Sequence, residues 1–284
     1  MLRINSPYKI FLIAALICVP FLNGCYKKDQ KSFAGVNSSR IMIAGSTSVQ
    51  PIAEKLAEHY LKAKPGVKIE VQGGGSSAGI EAARSGAAQF GSSSRELKEA
   101  EKKDLREVVI AYDAIVLILN PKNALKNISS LDARRVFSGE AKNWSDINSA
   151  SGGAITAITR EEGSGTRGAF EELIMDKTEI TPRCLVQDST GALREIVSED
   201  KNAIGYISFG ALNDRVRALA VDGVEPLMSN MIAAEKKKRY KIIRPFLFAY
   251  KGEMTPAMKE FIDFIRSADG AALLKQEGLI PLNE

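Results

Sequence analysis

The chain has 284 residues, 45% of them hydrophobic and 26% charged, with a formal net charge of +5. That is room for two lobes, each with its own core. The mild charge excludes a nucleic-acid binder, which would concentrate basic residues on one face, and a single histidine leaves no metal-ligand spacing.

Arg3 and Lys9 precede an apolar run from Ile10 to Leu22, interrupted by Pro20. The run is too short for a stable bilayer span and fits the core of a secretory signal over residues 1–24. It ends in Leu22-Asn23-Gly24-Cys25, which resembles a bacterial lipobox in which Cys25 becomes the lipidated first residue. Asn23 is less usual at its place, so a plain secretory signal or an uncleaved anchor stays open. A lipid there tethers the chain to a membrane face without threading it through. Removing Arg3 and Lys9 with the signal takes the formal charge from +5 to +3, compatible with drawing in a small anion. The polar residues 26–39 read as a linker. Cys18 leaves with the signal, so Cys184 is alone and no intrachain disulfide forms. It reads as a packed core thiol.

Ile41–Ala44 is a short strand that feeds Gly45-Ser46-Thr47-Ser48 and then a helix with Val49, Ile52, Ala53, Leu56, Ala57 and Tyr60 on one face. Pro51 falls in the first turn, where its missing N–H costs little, and His59 sits on the helix surface. Val67–Val71 alternates as a strand, followed by Gln72–Gly79 as a second Gly/Ser turn and a helix from Ile80 to Ser85. Gly75-Ser76-Ser77-Ala78-Gly79 matches a nucleophile elbow, but the histidine such an enzyme needs downstream lies upstream. The glycines also match a dinucleotide fingerprint, a weak pattern in a glycine run. Phe90–Arg95 reads as a third polar turn, with a charged helix from Glu96 to Arg106 after it. Val108–Leu119 is one long apolar strand, suited to crossing between lobes and stopped by Asn120-Pro121.

A helix over Leu131–Phe137 and a packing Trp144 precede the central stretch, Ile155 to Phe170. There a strand ends in Arg160, a tight Glu161-Glu162-Gly163-Ser164-Gly165-Thr166 turn follows, and a helix begins with Ala169, Phe170, Leu173 and Ile174 at helical spacing. A helix start has backbone N–H groups without intrahelical partners and a favourable dipole for an anion. Ser164 and Thr166 add hydroxyls, Arg160 adds a planar fork, and Glu162 is placed to orient it. Cys184–Gln187 is a strand, Asp188-Ser189-Thr190-Gly191 a fourth small polar turn, and Leu193, Ile196 and Val197 line a helix. Ala203–Ser208 is a buried strand. Glu235–Lys241 is a solvated charge run, and Ile242–Tyr250 a second long strand in which Pro245 marks an edge or a bend. Met258, Phe261, Ile262 and Ile265 face inward from a late helix, and Gly270 opens the last one.

Strand and helix alternate, so the expected fold is α/β with mostly parallel sheets flanked by helices, and ligands in such folds sit at strand carboxyl ends. Several small polar turns opening helices there, with one arginine, describe a pocket for a tetrahedral oxyanion. In this order the turns 44–48, 74–79, 90–95, 160–167 and 188–192, with Ala-Ile-Gly-Tyr-Ile-Ser (203–208), resemble the phosphate-binding lipoproteins and periplasmic proteins that feed phosphate ABC transporters. The resemblance runs from about Ile41 to Leu282. It implies a two-lobed type 2 periplasmic-binding fold, with lobe I over 40–114 and 243–284 and lobe II over 115–242, closing on the anion. It implies donors Thr47, Ser48 and Ser76 facing Arg160, Ser164, Gly165 and Thr166, with Glu162 holding Arg160. Ser46, Ser77 and Ser94 are further candidates on the same turns, and Asp188 and Ser189 are supporting ones. Ser94 departs from members that place an Asp there to accept the proton of phosphate and repel sulfate. Asp188 or Glu162 is left as the acceptor in its place. The expected partners are inorganic phosphate, a membrane permease and a lipid anchor, for a monomer outside the cytoplasm, with no cofactor, metal or catalysis. Binding of sulfate, molybdate or tungstate, and a serine hydrolase through Ser77, are the alternatives.

Overall fold

In the computed structural model, residues 40–147, 149, 152–233, 235 and 239–282 are described. The signal, Cys25 and the linker lie outside them. β1 (Arg40–Gly45) buries Ile41 and Ile43 and leads into α1 (Gln50–Ala63), whose buried Ile52, Ala53, Leu56, Ala57 and Tyr60 form the expected stripe, with His59 exposed. β2 (Lys68–Gly73) and α2 (Ser76–Ser85) follow as the alternation predicts.

Phe90–Ser93, read from its composition as a turn, is a fully buried strand, β3. Its small residues reflect close packing of backbone on backbone. A Cβ on Gly91 would run into the Gly79 carbonyl oxygen, and one on Gly79 would stand 2.5 Å from Gly45 Cα. The charged helix expected over Glu96–Arg106 shrinks to one turn, α3 (Glu99–Lys102). Arg95 draws Glu101 inward with two hydrogen bonds (2.8 and 2.9 Å), and Leu97 and Leu105 are buried, while Glu96, Lys98, Glu99, Lys102, Lys103 and Asp104 remain exposed as a solvated face.

β4 (Arg106–Leu119) is the long strand; β5 (Asn127–Ile128), α4 (Ser130–Ser138) and a single turn at Trp144–Ile147 come next. β6 (Thr156–Arg160) enters α5 (Gly165–Phe170), which passes into a π turn over Glu171–Met175. That turn changes which residues point inward. Ala169, Phe170, Ile174 and Met175 are buried, whereas Leu173, expected on the same face, is 40% exposed. The order ends with β7 (Leu185–Gln187), α6 (Thr190–Glu199), β8 (Ala203–Ser208), β9 (Arg217–Ala218), β10 (Ala220–Val221), α7 (Met228–Met231), β11 (Ile243–Tyr250), α8 (Pro256–Arg266) and α9 (Ala268–Gln276). Ser267, not Gly270, caps the last helix, accepting from the Gly270 N–H.

Among the described residues the main sheet has nine strands, in the order β2-β1-β3-β11-β4-β8-β6-β7 with β9 beside β4. Its two flanks are parallel, and the central strands β11 and β4 pair antiparallel with their neighbours. β4 changes partner midway: Arg106–Ala114 pairs with β11 and Ile115–Leu119 with β8. β11 is therefore a central strand, not an edge. Pro245 lies beyond the part paired with β3, and the register to β4 slips between Phe246 and Leu247.

Two large clusters of buried side chains flank that change of partner. One gathers Ile41, Leu56, Phe90, Phe248 and Phe261; the other gathers Phe137, Trp144, Phe170, Tyr206 and Tyr240. In the second, Phe170 and Tyr206 stack with ring centroids 4.0 Å apart. Cys184 packs at its border, and burial pushes its thiol up to about 11. The reactive thiolate is therefore scarce below that pH in the folded protein and ordinary once unfolded. Peptide mapping after a pulse of maleimide at pH 8 is expected to leave Cys184 unlabelled in native protein and label it in denaturant.

Candidate functional site

Four helix starts and strand ends converge beside the strand change. The organising side chain is Arg160, the last residue of β6 and 2% exposed. Its Nε donates to Glu161 Oε2 (2.9 Å) and the Gln187 carbonyl (3.2 Å). Nη2 donates to Glu161 Oε1 (3.0 Å), Thr47 Oγ1 (3.1 Å) and the Asp188 carbonyl (3.3 Å), and Nη1 to Thr190 Oγ1 (3.2 Å). Tyr206 fixes the backbone beneath, accepting from the Arg160 N–H (3.4 Å) and sharing a 2.6 Å bond with Thr159. Burial pushes the Tyr206 phenol well above its ordinary range, so it stays neutral.

Glu162 does not hold Arg160; its neighbour Glu161 does. The Ser164 N–H donates to the Glu161 carbonyl (3.0 Å), closing a turn that sends Glu162 outward, where it is exposed. Asp188 is corrected in the same way. Its carboxylate is exposed, and its carbonyl serves Arg160. Neither residue offers a buried carboxylate as a proton acceptor. Ser189 caps α6, accepting from the Ala192 N–H (3.1 Å).

Around Arg160 lies a cluster of buried hydroxyls. Ser48 shares bonds with Thr166 (2.9 Å) and Thr190 (3.0 Å), and Thr47 approaches Thr190 (3.5 Å). Ser46 donates to Ser94 (2.9 Å), and Ser76 lies 3.4 Å from Ser94 and accepts from its N–H (3.2 Å). Ser46 Oγ also accepts from the Ser48 and Val49 amides at the head of α1. Gly165 fits between these groups. A Cβ there would run into Ser76 Oγ and stand 2.7 Å from Ser94 Oγ. Ser164 caps α5 through the Arg167 N–H (3.2 Å), which leaves the Gly165 and Thr166 amides in a first turn where the helix supplies no carbonyl. Ser46, Ser48, Ser76, Ser94, Ser164, Thr166, Thr190 and Arg160 are all buried. The contacts tie the turns near the first core to those near the second.

Ser77 stands at the rim. Its N–H donates to the Gly163 carbonyl (3.0 Å), and its hydroxyl receives Arg95 Nη2 (3.4 Å), a cation where a nucleophile needs a base. Thr190 is a site residue that the sequence alone does not point to. It sits in the fourth polar turn, and only the fold brings its hydroxyl onto Arg160, Thr47 and Ser48. Among the described residues no group of His, Cys, Asp and Glu has the makings of a metal site.

Such an array of hydroxyls, free amides and one guanidinium, with its one touching carboxylate already paired, is chemically a cradle for a small oxyanion. Residues 33–269 match the PBP superfamily domain. The chain is 32% identical over 253 residues to the phosphate-binding protein PstS of Bacillus subtilis, covering 87% of this chain and 82% of that one. It superposes with a TM-score of 0.81 and 41% identity on a putative phosphate ABC transporter substrate-binding protein with bound phosphate from Clostridium perfringens, across 86% of this chain and 99% of that one. An ABC-type phosphate transport receptor from Vibrio cholerae gives 0.70 and 32%, across 84% and 99%. These are binding proteins, not enzymes, and the fold is the α/β architecture of type 2 periplasmic-binding proteins. The chain belongs to the PBP superfamily and, within it, to the phosphate ABC-transporter substrate-binding proteins.

Proposed function

We propose that this protein captures inorganic phosphate at the Arg160 cluster and delivers it to the permease of an ABC importer. The observation that carries the reading is the buried set Ser48, Ser76, Ser94, Thr166 and Thr190, with the half-buried Thr47, around a guanidinium, drawn from turns far apart in the chain. In this reading lobe I is 40–114 with 243–284, and lobe II is 115–242. The lobes close around the ion, with β4 and β11 as the crossings. The two core clusters support that division along β4, where their members part between Ala111 and Ala114, while Ile280 of the last segment packs with the second core. In this reading the contacts of Ser48 with Thr166 and of Ser77 with Gly163 are those of the closed arrangement. Leu22–Cys25 supports a lipid anchor on Cys25, which places the monomeric binding unit outside the cytoplasm on a short tether.

Calorimetric titration of the purified protein with phosphate and with sulfate tests the reading. Heat with phosphate is expected, and silence at micromolar protein defeats it. Sulfate is the informative competitor because position 94 is a serine. A buried hydroxyl accepts the proton of phosphate but also turns to donate to sulfate, whereas a carboxylate only accepts. Ser94→Asp is therefore expected to weaken sulfate more than phosphate by about 1–3 kcal/mol, the cost of leaving a buried acceptor unpaired. An unchanged ratio of the two affinities removes Ser94 from the contact set.

A further inference from the structure

Behind the hydroxyl cluster lies a second buried ion pair that phosphate capture as argued above does not use. Asp113 on β4 and Arg244 on β11 face each other in the antiparallel register, with side chains 0% and 1% exposed. Asp113 Oδ2 accepts from Arg244 Nε (3.0 Å) and Nη2 (2.9 Å). The third corner of the guanidinium, Nη1, donates to the backbone carbonyl of Ser94 (3.2 Å). On the other side, Asp113 Oδ1 accepts from Ser208 Oγ (2.7 Å) at the end of β8. The guanidinium carbon stands 5.3 Å from the centre of the Phe246 ring.

The pair sits where β4 changes partner, between Ala111 of one core and Ala114 of the other. One side of it grips the Ser94 turn, and the other grips the strand that leads to Phe209. Burial works against both charges, pushing the Asp113 carboxyl up and the Arg244 guanidinium down, and each partner's charge opposes that. The charge of Arg160 also bears on Arg244. An apolar pair of the same shape would commonly serve stability as well or better. The geometry shows what Arg244 does instead. Its free corner is spent on the residue whose N–H and hydroxyl meet Ser76 and Ser46.

We propose that Arg244, held in place by Asp113, is a positioning residue for the anion: it fixes the Ser94 backbone so that the Ser46–Ser94–Ser76 hydroxyls point at the ligand. This rests on the phosphate-capture reading. Arg244 need not touch the ion. It sets the carbonyl of Ser94, and the carbonyl sets the direction of the next groups along the chain. Removing the outer-shell partner of a metal ligand ordinarily costs about 10- to 100-fold, small displacements in a preorganised site have effects of that size, and the same order is expected here.

Two variants of the full protein separate positioning from mere support. Arg244→Lys keeps a cation for Asp113 but lacks the planar fork that reaches Ser94 at the same time. The double variant Asp113→Asn with Arg244→Met removes both charges, so no unpaired ion is left in the core. Both are expected to unfold near the wild-type midpoint in a thermal melt. Both are also expected to bind phosphate about 10-fold or more weakly by calorimetry, with a changed ratio of phosphate to sulfate affinity. Wild-type affinity and ratio in Arg244→Lys would overturn the proposal, whatever the fate of the double variant. Silence of the wild-type protein toward phosphate would defeat the capture reading itself, a result the variants cannot produce.

Discussion

Arg160→Ala is expected to weaken phosphate binding by about 2–5 kcal/mol, roughly 30- to 4,000-fold in Kd. The side chain is the hub of the cluster. It is 2% exposed and joins Glu161, Thr47, Thr190 and the backbone carbonyls of Gln187 and Asp188. Truncation removes the guanidinium and also frees Thr47 and Thr190 to turn. It leaves Glu161 facing the anion without its counter-charge, so a repulsion is added to the lost attraction. Arg160→Lys should recover only part of the loss, because an ammonium cannot hold Glu161 in a fork and reach both threonines. Glu161→Gln should cost less than either, since the amide keeps one acceptor for Nε and brings no unpaired charge. Calorimetry on the three variants checks the order. An Arg160→Ala protein that binds as tightly as wild type would show that the anion sits elsewhere.

Gly165→Ala is expected to bind phosphate roughly 5- to 150-fold more weakly while unfolding at or above the wild-type midpoint. The added methyl meets Ser76 and Ser94 in the arrangement described. Relieving that overlap costs about 1–3 kcal/mol, and the proposed opening of the lobes relieves it without harm to either core. The backbone does not object, because Gly165 is not among the residues with positive φ. Alanine is also the better helix former, by about 1 kcal/mol in a helix interior and by less at this first position. The two readouts thus move in opposite directions. Equal binding by wild type and Gly165→Ala would place the closing contact away from α5. In small-angle scattering the variant should also show less compaction with phosphate than the wild type.

Much of this site is legible as local pattern. A strand ending in arginine, a Gly/Ser/Thr turn and a helix start occur together around Arg160, and the chain repeats small polar turns elsewhere. What local pattern cannot carry is which groups meet. Glu161 and Glu162 are equivalent on paper, and the hydrogen bond from Ser164 to the Glu161 carbonyl decides which one faces Arg160. Thr190 looks like any cap-side residue until β6 and α6 bring it to the guanidinium. Gly91-Ser92-Ser93 has the composition of a loop, yet the same smallness lets a buried strand lie against Gly79. Leu173 follows an α period that a π turn interrupts. Asp113 and Arg244 are each a lone charge in an apolar run, and nothing near either announces the other across the antiparallel ladder.

The makeup of the cluster sets how the protein responds to its surroundings. Serine and threonine hydroxyls and main-chain amides exchange no charge near neutrality, and the chain's one histidine lies exposed on α1. Those donors are therefore constants in the equilibrium near neutrality, and acidification of the medium acts on the dissolved salt and not on them. Phosphate binding is then expected to follow the ionisation curve of the anion itself.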